Sequence, residues 1–205
     1  MNYSTEETRV YRILLARAST VSAPLADAIT SDGPVPSQRA NYRSIGHFLA
    51  RAIIGQQLSA RVARSIWERV TIAASSATMN VPAFTESYAD EVRTCGVSTN
   101  KIRALQSVRA AERAGTLCET KLQELGPREQ VATLLGIHGV GPWTCDMALI
   151  FYYHLPDIWP EGDAAVQRMF ARLIGRRKPK PTAARFSPHR SSLALIMWRM
   201  VDAGY

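Results

Sequence analysis

The 205 residues suffice for one domain or two small lobes, and 25 Lys and Arg against 17 Asp and Glu, formally +8, favour a polyanionic partner. Cys95, Cys118 and Cys145 lie too far apart to signal a disulfide framework or a zinc site, and are too few for a four-thiolate iron–sulfur cluster. No run approaches the roughly 18 apolar residues of a membrane span, and Met1 to Arg9 holds two Glu, so the chain reads as reduced, soluble and intracellular, without a secretory signal.

Helical periodicity runs through almost the whole chain. A helix is expected over 6–18 with Val10, Ile13, Leu14 and Ala18 inward, and Ser31-Asp32-Gly33-Pro34-Val35-Pro36 is a break. Ile45, Phe48, Leu49, Ala52 and Ile53 follow amphipathic helix spacing, and a further helix from about Ala60 puts Val62, Ile66 and Val70 inward. Between them lies the corner Ile54-Gly55-Gln56-Gln57-Leu58-Ser59. A Gly turn with Ser59 as N-cap explains it, and so does a wedge that fills the stack when a base is extruded.

Shorter helices are expected near 84–94, 100–113 and 127–135, the last with Pro127 in its first turn. Leu135-Gly136-Ile137-His138-Gly139-Val140-Gly141-Pro142-Trp143-Thr144 then reads as a hairpin between two helices. Gly139 and Gly141 permit positive φ and a close backbone approach to a ligand. Pro142 suits the start of a helix carrying Trp143, Met147, Ile150, Phe151 and His154 along one face. Backbone N–H groups at such a start face outward with the positive end of the helix dipole, so a phosphate can dock there. A tight turn between packed helices accounts for the same residues. No Gly-Lys-Ser/Thr follows and no strand precedes, which excludes the nucleotide-cradle motifs.

Asp163, in Pro160-Glu161-Gly162-Asp163-Ala164-Ala165, is placed to cap a helix whose apolar face is Val166, Met169, Phe170 and Leu173. Arg176-Arg177-Lys178-Pro179-Lys180-Pro181 reads as a basic, Pro-broken surface connection that could also touch DNA. Leu193, Ile196, Met197 and Met200 mark the final helix. Strand alternation is scarce and no internal repeat is present, so the fold class is all-α.

Four segments occur in one order: Gly55-Gln56-Gln57-Leu58-Ser59, Gly96-Val97-Ser98 with Lys101, Gly139 to Thr144, and Pro160 to Asp163. That order resembles the helix-hairpin-helix, Gly/Pro-Asp superfamily of DNA repair glycosylases, and Trp143-Thr144 resembles its 3-methyladenine DNA glycosylase II (alkylation-repair) branch. The similarity runs from about residue 44 to 203. It implies one unit over 1–205 made of two interleaved helical lobes around a DNA-binding cleft, with the hairpin at about 134–147. It also implies a monomeric, cofactor-free and metal-free enzyme of base excision repair, acting on double-stranded DNA with damaged bases. Such an enzyme is expected in the cytoplasm at a bacterial nucleoid, or in a eukaryotic nucleus, with no membrane partner.

Carried over by resemblance, Asp163 is the catalytic acid, and Trp143, Met147 and His189 line the substrate pocket. Gln57, Leu58, Ser59, Gly139, Gly141, Thr144 and Lys101 are the expected DNA contacts, with the wedge at Gln57 or Leu58 and Gln57 preferred. Trp143 stands where relatives with lyase activity carry a lysine, so a monofunctional enzyme is implied. The chain departs from the branch in three ways. It has no room for an N-terminal sheet lobe, Ala164 follows the acid, and His189 takes a position that can be aromatic. The expected reaction flips an alkylated purine such as 3-methyladenine and hydrolyses its glycosidic bond. A fixed carboxylate would stabilise the oxocarbenium-like transition state, and Trp143 would stack on a cationic base. The alternatives are a glycosylase for oxidised or mismatched bases and an inactive DNA-binding module that kept the hairpin.

Overall fold

The structure is a computed structural model that describes residues 3–36, 42–76 and 88–205. Among these residues all regular structure is helical. The chain forms two compact units, Met1–Ala40 with Leu149–Tyr205, and Asn41–Ala148.

In the first unit, α1 (Thr5–Ser19) and α2 (Ala23–Asp32) precede α10 (Ala164–Ile174), α11 (Pro179–Ala184) and α12 (Arg190–Asp202) in sequence. α1 starts where a start is encoded: Ser4 accepts the Glu7 N–H, and the Glu7 carboxylate accepts the Ser4 N–H in return. Leu14 and Ala18 are fully buried with Leu25 and Ile29 of α2, Val166, Phe170 and Leu173 of α10, and Leu193 and Met197 of α12. Trp159 joins this core against Phe170, with ring centroids 4.9 Å apart. Two elements differ from the expected pattern. α2 follows Val21-Ser22 with Pro24 in its first turn, and α11 turns the Pro-rich basic connection into a short helix.

In the second unit, α3 (Ile45–Gly55), α4 (Ala60–Ser76), α5 (Ala89–Thr94), α6 (Thr99–Arg113), α7 (Glu119–Glu124) and α8 (Pro127–Leu135) lead to α9 (Pro142–Phe151). Of the stretch expected near 84–94, residues 84–87 lie outside the described residues. Ile45, Leu49 and Ile53 of α3, Ile66 and Val70 of α4, and Leu105 and Val108 of α6 are buried. Val62, expected inward, is 44% exposed. It sits in the first turn of α4 beside the exposed corner at Leu58, so helical spacing alone does not bring it to the core. α9 ends at Phe151, so His154 lies beyond the helix and not on its face, and adopts a left-handed backbone with φ 53°.

Candidate functional site

Two turns form the candidate site in the second unit. The first is the corner between α3 and α4. Gln56 has φ −51° and ψ 132°, Gln57 has φ 59°, and the Leu58 N–H reaches the Gly55 carbonyl at 3.1 Å. That is a type II turn with glutamine at the position glycine normally occupies. Gln57 and Leu58 at its apex are exposed, the latter by 38%. Ser59 closes the corner by accepting the Val62 N–H at 3.4 Å and presenting its carbonyl to Ala63.

The second turn is the hairpin. α8 starts at Pro127 and ends against Gly136, and the Val140 N–H reaches the Ile137 carbonyl at 3.0 Å with Gly139 at φ 85° between them. This turn too requires a left-handed residue. Here the sequence supplies glycine for a second reason as well: a Cβ on Gly139 would lie 2.2 Å from the Ala104 Cβ of α6. Gly141 differs. It is not in the left-handed region, and a Cβ placed on it meets nothing within 4 Å. The helical ladder of α9 opens with the Cys145 N–H on the Gly141 carbonyl, so the amides before it stand outside the ladder. The face at Gly141 is open, with no atom within 4 Å of where a Cβ would stand.

Gln56 joins the two turns. Its Nε2 donates to the Gly139 carbonyl at 3.1 Å and to the Thr144 Oγ1 at 3.0 Å. Thr144, expected as a DNA contact, is 1% exposed, so its side chain is a fastener between the turns and not a surface ligand. Lys101, expected to touch DNA, is likewise committed. Its Nζ donates to the Ile54 and Gln56 carbonyls, each at 2.8 Å, and so closes the C-terminal end of α3. Burial lowers the Lys101 pKa from its ordinary value. Trp143 is half-buried and Met147 is 5% exposed on α9.

The acid lies in the first unit. Asp163 is the N-cap of α10, and its Oδ1 accepts the N–H groups of Ala165 at 3.0 Å and Val166 at 2.9 Å. Asp163 is 8% exposed, and the loop that leads to it is anchored twice. Arg190 grips Asp157 with Nε to Oδ1 at 2.7 Å and Nη2 to Oδ2 at 3.0 Å, and Ser191 Oγ donates to the Leu155 carbonyl at 2.6 Å. Burial raises the Asp157 pKa, but hydrogen bonds from Arg190 and Ser187 outweigh it and leave the carboxyl below its ordinary value. His189, 9% exposed, lines a cavity of about 570 Å³ together with Tyr11, Ile150, His154 and Ser191. Burial, and after it the charges of Arg17 and Arg9, lower the His189 pKa from its ordinary value. Asp163 is not among the residues lining that cavity.

Gln56, Asp157 and Arg190 carry this arrangement, and sequence pattern does not single them out. Their partners lie 83, 33 and 33 residues away, beyond the reach of helical spacing. Among the described residues no group of three or more His, Cys, Asp or Glu could hold a metal ion, and no helix is long and apolar enough to cross a membrane.

No family model matches the chain. The chain is 27% identical over 161 residues to DNA-3-methyladenine glycosylase 1 of Schizosaccharomyces pombe, covering 74% of this chain and 70% of that protein. By sequence the chain is thus similar to DNA-3-methyladenine glycosylases. It is 24% identical over 194 residues to the DNA-3-methyladenine glycosylase of Saccharomyces cerevisiae, covering 75% of this chain and 66% of that one. Among solved structures, its fold matches that of the Schizosaccharomyces pombe 3-methyladenine DNA glycosylase in complex with abasic DNA. There the TM-score is 0.80 at 24% identity, over 97% of this chain and 99% of that one. The fold also matches a Clostridium acetobutylicum 8-oxoguanine glycosylase/lyase in complex with double-stranded DNA. That match has a TM-score of 0.67 at 14% identity, over 97% of this chain and 74% of the other.

Proposed function

We propose that this protein is a monofunctional DNA glycosylase of base excision repair, of the helix-hairpin-helix, Gly/Pro-Asp superfamily, that flips and releases alkylated purines such as 3-methyladenine. The observation that carries the reading is the pair of turns clipped together by Gln56. One presents an exposed glutamine held in a left-handed conformation, and the other presents the open backbone of Gly141. A strained non-glycine residue at an exposed apex is what a wedge needs, because the rigid corner aims the side chain before DNA arrives. A phosphate grip fastened to the same corner fixes the register of that wedge on the duplex.

In this reading Asp163 stabilises the positive charge that grows on the deoxyribose as the bond to the base breaks, and orients the attacking water. One carboxylate oxygen caps α10 and so fixes the group in place. An alkylated purine is already cationic and leaves without strong acid help, which suits a single acid. Trp143 at the position of the lyase lysine, and the commitment of Lys101 to two carbonyls, support hydrolysis without a Schiff base. The relatives named 3-methyladenine glycosylases support this substrate class, and the finer placement in the type II class rests on Trp143-Thr144. Such an enzyme works where the chromosome is, with duplex DNA as its partner.

The test is to incubate the protein with methylated duplex DNA and identify released bases by chromatography. Release of 3-methyladenine with an intact abasic strand is expected. Binding without any release would favour the inactive module, and release only from oxidised or mismatched duplexes would favour the other glycosylase reading.

A further inference from the structure

The charge of this protein is not spread evenly. Residues 164 to 201 contain nine Lys and Arg and no Asp or Glu, more than the whole formal excess of +8. Three of the nine are neutralised, Lys180 by Glu161, Arg190 by Asp157 and Arg199 by Asp32. Arg177 donates to the Ile174 carbonyl and Arg185 to the Thr20 hydroxyl, so each keeps its charge without an acid. Arg168, Arg172, Arg176 and Lys178 have no ion pair among the described residues, and all four are exposed.

The fold arranges them. α10 buries Val166, Met169, Phe170, Leu173 and Ile174, which turns Arg168 and Arg172 to solvent four residues apart. Arg176 follows at the same interval just past Gly175, and Lys178 is the N-cap of α11. At about 1.5 Å per helical residue Arg168 and Arg172 stand ~6 Å apart along α10, and Arg176 and Lys178 continue the basic run past the helix end at Gly175. Like charges four residues apart repel on a helix, so the free protein gains nothing from this arrangement. No large hydrophobic residue is exposed between 164 and 200. Protein interfaces have an apolar or aromatic centre, whereas a DNA backbone presents a uniform line of phosphates with no apolar demand.

We propose that the strip formed by Arg168, Arg172, Arg176 and Lys178 is a sequence-independent binding surface for the phosphate backbone of duplex DNA, made of residues other than the hairpin grip and the acid. The proposal rests on the DNA-acting reading of the protein. It gives the enzyme a hold on undamaged DNA that does not depend on a flipped base. Phosphate contacts carry no sequence information, which suits a search over intact duplex.

The experiment combines Arg168→Gln, Arg172→Gln, Arg176→Gln and Lys178→Gln in the full chain, since glutamine keeps helix propensity. Fluorescence anisotropy on an undamaged duplex over a salt series reads the contribution directly. The plot of log affinity against log salt should flatten by about 0.9 for each phosphate that is no longer neutralised, and affinity at moderate salt should fall about tenfold or more. A companion variant with Arg168→Lys, Arg172→Lys and Arg176→Lys keeps the charge and should keep the slope. Single-turnover base release at saturating enzyme should stay at the wild-type rate in the Gln variant. An unchanged slope and affinity would overturn the proposal, as would loss of binding to polyglutamate but not to DNA. If the slope changes as expected but neither protein releases a base, the strip stands and the glycosylase reading falls.

Discussion

Gly139 sits against Ala104 so closely that a Cβ on the glycine would lie 2.2 Å from the alanine Cβ, while two residues on, Gly141 faces open space. The two glycines of one motif therefore have different work. Gly139 is required by the fold, through its φ of 85° and its packing on α6. Nothing in the fold requires Gly141 to lack a side chain, which leaves the proposed phosphate approach as its reason.

This separates two substitutions. Gly139→Ala should destabilise the protein by about 2–4 kcal/mol, from left-handed strain and overpacking together. Gly141→Val should leave stability within about 1 kcal/mol of wild type while weakening duplex binding, because its Cβ would stand where a phosphate approaches. Thermal melts and anisotropy on the two variants check this. Normal DNA binding by Gly141→Val would remove the phosphate role from the hairpin.

Gln57 should trade stability against function. The left-handed conformation costs a non-glycine residue about 1–2 kcal/mol, partly offset in a glycine variant by greater freedom of the unfolded chain. Gln57→Gly should therefore unfold no earlier than wild type, yet extrude a base more slowly. A fluorescent base analogue at the lesion reads flipping directly. Undiminished flipping in Gln57→Gly that is lost in Leu58→Ala would move the wedge by one residue.

Asp157 should govern the acid limb of stability. Burial raises its pKa, and the bonds from Arg190 and Ser187 more than reverse that, so the folded value lies below the unfolded one. The stabilisation is then fully present above the unfolded carboxyl pKa, about 3.9, and is lost as pH falls through the lower folded value. Asp157→Asn should lower stability near neutral pH by about 1 kcal/mol, since solvent screens part of the pair, and show a smaller further loss on acidification below about pH 4. Urea titrations of both proteins from neutral to strongly acidic pH measure it. Parallel curves would mean that the Arg190 pair contributes no pH-dependent stability.

Lys101 should behave as a fastener and not as a nucleophile. Lys101→Met removes two hydrogen bonds to carbonyls at the end of α3 and should cost about 1–3 kcal/mol. Borohydride should trap no covalent protein–DNA adduct with the wild-type protein. An adduct that disappears in Lys101→Met would assign lyase chemistry to this amine.

The helices were legible because their apolar spacing is regular: the buried faces of α1, α3 and α10 coincide with residues that periodicity selects. The N-cap role of Asp163 was legible for the same local reason. α7 and α11 were not, since six residues are too few for a periodic apolar face, and α2 was not singled out either. Thr144 and Lys101 are polar residues in segments expected to contact DNA, and only the fold shows that Thr144 is tied to Gln56 and that Lys101 closes the end of α3. By spacing alone Arg168 and Arg172 are an ordinary solvated helix face, and their lack of acidic partners is visible only once the ion pairs are placed.

The role of Asp163 as catalytic acid is tested most directly by Asp163→Asn. Asparagine can keep the bonds from the Ala165 and Val166 N–H groups, so the variant should melt close to wild type. It should also bind abasic-analogue DNA about as well, since binding rests on phosphate contacts elsewhere. What disappears is a negative charge beside a developing cation, and that typically costs about 10²–10³ in rate. The measurement is single-turnover release of 3-methyladenine from methylated duplex DNA. At least a hundredfold slower release is expected, about 2.7 kcal/mol or more of added barrier, from a folded and DNA-bound variant. Release at the wild-type rate would contradict the catalytic role, as would a variant that loses fold, binding and activity together.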